Sequence, residues 1–391
     1  MIEGIPMDAK SKMISSTRMV NMELLRIISM MLVIVLHFLG KGVGISDATS
    51  PEMTVIGSVA WFIEAFAIVA VNVYMIISGY FLVGSTFKVK RLLILLLQIW
   101  FYSIGVGLLA GLFGYIPEEG FSLYYLAQLF FPVSTNHYWF MTAYVFMYLF
   151  LPLLTVAVHN LSKKQFQMVL GLLIITFSIL KSVCPIHLAT DMQGYDVIWY
   201  LCVFLVAAYI RLYGLPFFQN WKRSLAVYVA MSLMIFGSML LLRFVFLKTG
   251  KLQDVITVSY QYNHIFVLSA SVALFYLFYF VTIKSCFWEK VINKIAPYTL
   301  GVYLLHEHIA IRYEWPKFIF KMTGIPSGIV PWLLTLILSV LLVYVAGILV
   351  DMLRSLLFRG INRLLSHLSL YKRFTDWLSC LSIGNKKEGS L

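Results

Sequence analysis

The stretch RIISMMLVIVLHFLG, residues 26–40, decides how the whole chain is read. Arg26 opens it, His37 nearly closes it, and the run between them is apolar. A helix needs about 20 apolar residues to cross a hydrocarbon core of about 30 Å. With its N-terminal flank this stretch reaches that length. An ionisable group inside such a segment costs at least ~2.5 kcal/mol, so both residues need a reason to be there. Eleven residues at 100° each amount to about 20° past three full turns, with a rise of roughly 16 Å. Arg26 and His37 therefore project from one face and define a polar stripe along it. Spacing alone leaves two readings open: an interior path, or a snorkelling arginine with an interfacial histidine.

The rest of the sequence extends the membrane reading. The 391 residues are 61% hydrophobic, 16% aromatic and only 12% charged, with mean hydropathy +0.88, which excludes a pair of soluble domains. The formal charge of +13 is spread in short basic clusters between apolar runs, the pattern of membrane loops and not of a nucleic-acid face. Cys184, Cys202, Cys286 and Cys380 lie far apart without disulfide or metal spacing. The first 20 residues are polar, and the apolar run after them lacks a small-residue cleavage site, as a retained first span would.

Candidate spans fall near 22–40, 59–83, 92–115, 138–158, 165–184, 196–213, 224–247, 262–283, 297–313 and 327–353, an all-α polytopic bundle of about ten transmembrane helices. With the N-terminus in the cytoplasm, 22 of the 30 lysines and arginines fall inside and 8 outside. Both termini are then cytoplasmic. Residues 1–20 form a cytoplasmic segment, 21–355 the membrane domain, and 356–391 a basic amphipathic tail on the cytoplasmic surface. No loop has room for a soluble catalytic domain, so any chemistry lies inside the bundle or at its faces. No internal repeat is apparent, which disfavours inverted-repeat transporter folds.

Further polar residues interrupt the spans. Glu64, in WFIEAFAIVAVNVYMIISGYFL (61–82), lies at a depth similar to His37, where a carboxylate would fix the imidazole tautomer. In APYTLGVYLLHEHIAIRYEW (296–315), His306 is level with His37, while a continuous helix turns Glu307 and His308 to other faces. Residues two apart on a helix diverge by about 200°, so His306 and His308 cannot share one ion and no metal is expected. His137 and Trp139 stand at the outer end of NHYWFMTAYVFMYLFLPLL (136–154), and His264 starts the eighth span. These imidazoles are either intramembrane bases or ordinary belt residues.

Taken together, the blocks resemble the acyltransferase family 3 membrane proteins, over residues 20 to 355. The family's most specific mark is an arginine and a histidine separated by ten residues in the first span, matched by Arg26 and His37. VYMIISGYFL (73–82), KVKRLLILLLQIWFYS (88–103), the HYWF block, FLVAAYIRLYG (204–214) and YTLGVYLLHEH (298–308) follow in the family's order. The resemblance implies an O-acyltransferase of the bacterial cytoplasmic (inner) membrane. Acetyl-CoA or another acyl-CoA would be its donor, and a hydroxyl of an envelope saccharide or lipid-linked saccharide its acceptor. It implies His37 as the catalytic residue and Arg26 as its essential partner. Some relatives carry a glutamate where this chain has Tyr144. The supporting carboxylate is then expected from Glu64 first and Glu307 second, with His306 completing the catalytic group. Arg91, Arg211, Lys88 and Lys90 are expected at the CoA phosphates. Ser78, Tyr80, His137, Trp139, Tyr144, Tyr303 and Glu307 are expected to contact substrate. The expected partners are the lipid bilayer, the acceptor and a second copy of the chain, with no nucleic acid. The main rival is a transporter or flippase of a lipid-linked saccharide or small molecule; a glycan polymerase would call for a large outer loop.

Overall fold

The computed structural model describes residues 19–42, 44–114, 122–184 and 192–383, so most of the expected cytoplasmic segment 1–20 and the end of the tail lie outside it. Among the described residues, eight helices are long and apolar enough to cross a membrane. They are Val20–Lys41, Val55–Leu82, Val89–Leu112, Trp139–Asn160, Lys163–Val183, Trp221–Thr249, Gln253–Tyr279 and Ile329–Leu365. Helix is the natural solution for such sequences, because it satisfies every backbone polar group within the segment. The protein is a polytopic membrane bundle.

Two of the ten expected spans take a different form. The sixth, Val197–Tyr213, has 17 residues and is sunk in the centre of the bundle. It packs so closely on Ala70–Leu82 that a Cβ added at Gly79 would stand 2.8 Å from the Cβ of Ala207. The ninth is not a continuous helix. It consists of the eight-residue helix Thr299–His306, an irregular turn, and the helix Glu314–Thr323. Non-helical backbone at membrane depth is tolerated where protein buries it, and Glu307 and His308 are both buried.

The first helix, Ala70–Leu82, Val197–Tyr213 and Ile265–Tyr279 form the interior, while Trp221–Thr249 and Lys163–Val183 are mostly peripheral. The short helix Thr299–His306 lies against the first helix, Val89–Leu112 and the long helix Ile329–Leu365. Gly301 makes the last contact possible, because a Cβ there would run into the Asp351 side chain. Asp351 is fully buried and fully occupied: it accepts from Tyr102 (2.9 Å), Gln98 (3.1 Å) and both Nε and a terminal nitrogen of Arg354 (2.6 and 2.9 Å).

The long helix continues past residue 355 to Leu365, and a further helix, Ser369–Cys380, follows. Ser382–Ile383 then pairs antiparallel with Phe87–Lys88. The tail is thus tied back to the basic stretch that begins at Lys88.

Candidate active site

The first helix carries Arg26 and His37 on one face, as its spacing requires, and two adjoining cavities lie along that face. The smaller is lined by Met30, Val33 and His37 of the first helix together with Tyr74, Trp139, Tyr262 and Tyr303. The larger is lined by Arg26, Ser78, Arg91, Tyr144, Tyr148 and Thr299. Tyr74, Phe140 and Leu300 line both, so the two chambers share a wall. Arg26 is held beside Glu23 at 2.6 Å, one turn earlier on the same helix.

His37 is oriented by groups that arrive at the end of the broken ninth segment. His37 Nδ1 lies 2.8 Å from His306 Nε2 and 3.1 Å from Glu307 Oε1. The tautomers follow from a single carbonyl. His306 Nδ1 stands 2.5 Å from the backbone oxygen of Val302, an acceptor only, so this nitrogen carries the proton. His306 Nε2 is therefore a lone pair and accepts from His37 Nδ1–H. His37 Nε2 is left unprotonated, and His37 lines the smaller cavity. A base held in its working tautomer by a second group is the arrangement general base catalysis needs.

Glu307 is the C-cap residue, with φ −94° and ψ 1°, its N–H still bonded to the Tyr303 carbonyl at 3.0 Å, and its side chain reaches His37 from beside His306. The turn that follows is fastened by side chains. Tyr138 donates to the Leu304 carbonyl at 2.9 Å. His308 Nδ1 accepts from the Ala310 N–H at 3.1 Å, and its Nε2 donates to the Ser103 carbonyl at 3.0 Å. His137 Nε2 accepts from the Ile309 N–H at 3.2 Å, and its Nδ1 donates to the Gln128 carbonyl at 3.1 Å. Both nitrogens of His137 and of His308 are thereby committed to protein partners, which gives these residues a fastening role.

Glu64 is not brought to His37. Among the described residues its Oε2 is shielded and has no hydrogen-bond partner, and its electrostatic neighbours are Tyr195, Tyr260 and Tyr262. The carboxylate beside His37 is Glu307, and Lys41 forms an ion pair with it. Lys41 was not singled out from the sequence. It lies one turn after His37 on the same face, and that spacing is the signal that could have found it.

Of the expected phosphate ligands, Arg91 lines the larger cavity with Arg26. Arg211 instead donates to the Tyr80 hydroxyl at 3.1 Å and lies 4.8 Å over its ring, and neither residue lines either chamber. Lys88 and Lys90 are exposed and lie outside the cavity walls, although the Lys88 backbone N–H donates to the Tyr148 hydroxyl. Ser78 and Tyr144 line the Arg26 chamber, and Trp139 and Tyr303 the His37 chamber.

His37, His306 and Glu307 offer three ligand atoms within 4.8 Å of one another, a spacing a transition metal can bridge. The fit is poor. The two nitrogens already share one proton-bearing bond, and the Lys41 ammonium sits on the Glu307 oxygen a metal would use. The set is better satisfied as a proton-handling group than as a ligand sphere.

A family model described as an acyltransferase domain matches residues 19–351 of the chain. No curated protein and no solved structure matches it.

Proposed function

Because the chain belongs to acyltransferase family 3, matched over most of its length, and is an acyltransferase enzyme, we propose that it moves an acyl group from acyl-CoA to a hydroxyl of an envelope saccharide within the two-chambered path. The observation that carries this reading is the chain of bonds from the Val302 carbonyl through His306 to His37, which leaves Nε2 unprotonated on a histidine that lines a cavity.

The donor belongs in the Arg26 chamber. Arg26 and Arg91 present guanidinium groups suited to the phosphates of CoA. The rise from Arg26 to His37, roughly 16 Å, suits the extended pantetheine arm, which would bring the thioester beside His37. With the orientation implied by the basic loops, the donor enters from the cytoplasm and the acceptor from the outer face. In that orientation the enzyme is a multi-pass protein of the bacterial inner membrane.

In the reaction, His37 Nε2 takes the proton of the acceptor hydroxyl as its oxygen attacks the thioester carbonyl carbon. The tetrahedral intermediate then collapses, the C–S bond breaks, and the imidazolium returns the proton to the leaving thiolate. Glu307 faces the imidazolium that forms and stabilises it. The Tyr303 hydroxyl is buried in the same chamber without a well-formed hydrogen bond, and is a donor for the oxyanion.

The test is transfer from radiolabelled acetyl-CoA to envelope saccharide by purified protein in nanodiscs. His37→Ala should abolish transfer without loss of protein from the membrane. Full activity in that variant would end the assignment. A transporter, by contrast, would leave acetyl-CoA unconsumed.

A further inference from the structure

We propose that Glu64, Tyr195, Tyr262 and Trp139 form the acceptor subsite, and that the group it takes is a neutral, polyhydroxylated ring. The proposal rests on the acyl-transfer reading above and deepens it.

Glu64 is the first observation. A buried polar atom without a partner is rare and asks for an explanation, and a carboxylate at membrane depth asks for a stronger one. Glu64 is half-buried within the span Val55–Leu82, its Oε2 is shielded, and that oxygen has no hydrogen-bond partner among the described residues. It does nothing for His37, whose carboxylate is Glu307. Removing such a group ought to stabilise the protein, so its presence points to a ligand that satisfies it.

The surroundings are the second, independent observation. Trp139 and Tyr262 are stacked, with ring centroids 5.6 Å apart and planes at 24°. Tyr195 leans on both, 4.4 Å from Trp139 and 4.7 Å from Tyr262. Tyr195 is 42% exposed, whereas Tyr262 is 5% exposed and lines the His37 chamber with Trp139. The aromatic group thus runs from an exposed ring to rings that line the His37 chamber. Tyr195 is within electrostatic reach of both Glu64 and Glu307.

The platform is constructed with care for its position. Asn72 donates to the Tyr262 carbonyl at 2.7 Å and accepts from the Trp199 indole at 3.0 Å. The Tyr262 N–H donates to the Gln193 carbonyl at 3.1 Å. Gly194, at φ +86°, lets the two loops close, since a Cβ there would sit 2.7 Å from Tyr262.

Flat aromatic faces bury the C–H face of a sugar ring, and one or two placed polar groups fix its orientation. The carboxylate accepts ring hydroxyls, holding the ring so that another hydroxyl meets His37 Nε2. An ammonium-bearing acceptor would use the same groups through charge. The reaction needs a hydroxyl acceptor, and a polyol supplies both the reacting group and the partner Glu64 lacks.

The test uses purified wild type, Glu64→Gln and Glu64→Leu in nanodiscs, with acetyl-CoA and polysaccharide isolated from a strain lacking this protein. Glu64→Gln should raise KM for the polysaccharide about tenfold, and Glu64→Leu about a hundredfold, with kcat changed much less. Glu64→Leu should also raise Tm, because a merely structural carboxylate would lower it when removed. An unchanged KM in both variants, or a lowered Tm with Leu, overturns the subsite while leaving acyl transfer intact. Equal damage from Gln and Leu overturns the neutral ring in favour of a cationic acceptor. No transfer to polysaccharide by the wild type overturns the acyl-transfer reading, and the subsite with it.

Discussion

Under the proposed mechanism Glu307 has two roles, which Glu307→Gln probes. The first is catalytic. Glu307 Oε1 lies 3.1 Å from His37 Nδ1, so it faces the charge that His37 acquires as it takes a proton. Charge-assisted hydrogen bonds contribute about 1.5–3 kcal/mol, which at RT near 0.59 kcal/mol corresponds to a loss of about 10- to 160-fold in kcat. The second role is electrostatic balance. Lys41 has 17% of its side chain exposed and is paired with Glu307; removing one partner of a buried pair typically costs about 3–5 kcal/mol. The single variant should therefore lose both activity and stability, and a low rate alone would not say which. Lys41→Met combined with Glu307→Gln resolves them, because it removes both charges together. The double variant should melt close to wild type yet keep the 10- to 160-fold deficit in kcat, with KM for acetyl-CoA little changed. Thermal unfolding in detergent and single-turnover acetyl transfer are the measurements. Recovery of wild-type kcat in the double variant would refute the reasoning, since Glu307 would then matter only as a counter-ion for Lys41.

Three further outcomes follow from the geometry. Arg91→Ala should raise KM for acetyl-CoA about tenfold or more with kcat nearly unchanged, because Arg91 lines the chamber proposed for the donor; an unchanged donor KM would remove it from that site. His137→Leu should lower stability by about 1–3 kcal/mol through the orphaned Ile309 N–H, while the folded fraction keeps its normal rate; a rate loss at full folding would give His137 a chemical role. Gly301→Ala should force Thr299–His306 off the Asp351 side chain, costing about 1–3 kcal/mol and more than tenfold in rate as His306 leaves hydrogen-bond reach of His37; normal activity would show that the pairing of the two histidines does not depend on that packing.

The first helix was legible because its information is local. Eleven residues between Arg26 and His37 fix the shared face by helical arithmetic, and the cavities along it follow that face. The bundle was legible too, since hydropathy alone marks segments that must be helical in lipid. The carboxylate beside His37 was legible only in part, since Glu307 was expected second to Glu64. Reading 297–313 as continuous puts Glu307 about 100° from His306, yet both side chains converge on His37; what that reading misses is the end of the helix. The chain instead stops its helix at His306 and spends Tyr138, His137 and His308 on the freed backbone. Those partners come from 166 to 172 residues away for Leu304 and Ile309, which no local pattern reveals. The warning that was present is His306-Glu307-His308 itself, three consecutive polar residues that no single helix face in a membrane can accommodate.

The ion pair explains why the polar cost is tolerable. Glu307 meets Lys41, 266 residues earlier in the chain, and the two charges stand together with Glu307 beside His37. The cluster then sets Lys41 against Glu307 around a neutral imidazole pair, with Arg312 also within electrostatic reach, until His37 takes a proton. The charge that arrives at that moment meets Glu307 already in place and needs no rearrangement, which is the condition under which fixed groups lower a barrier. The same logic isolates Glu64: it has no counter-charge among the described residues and no hydrogen bond, so the folded protein alone does not complete its surroundings.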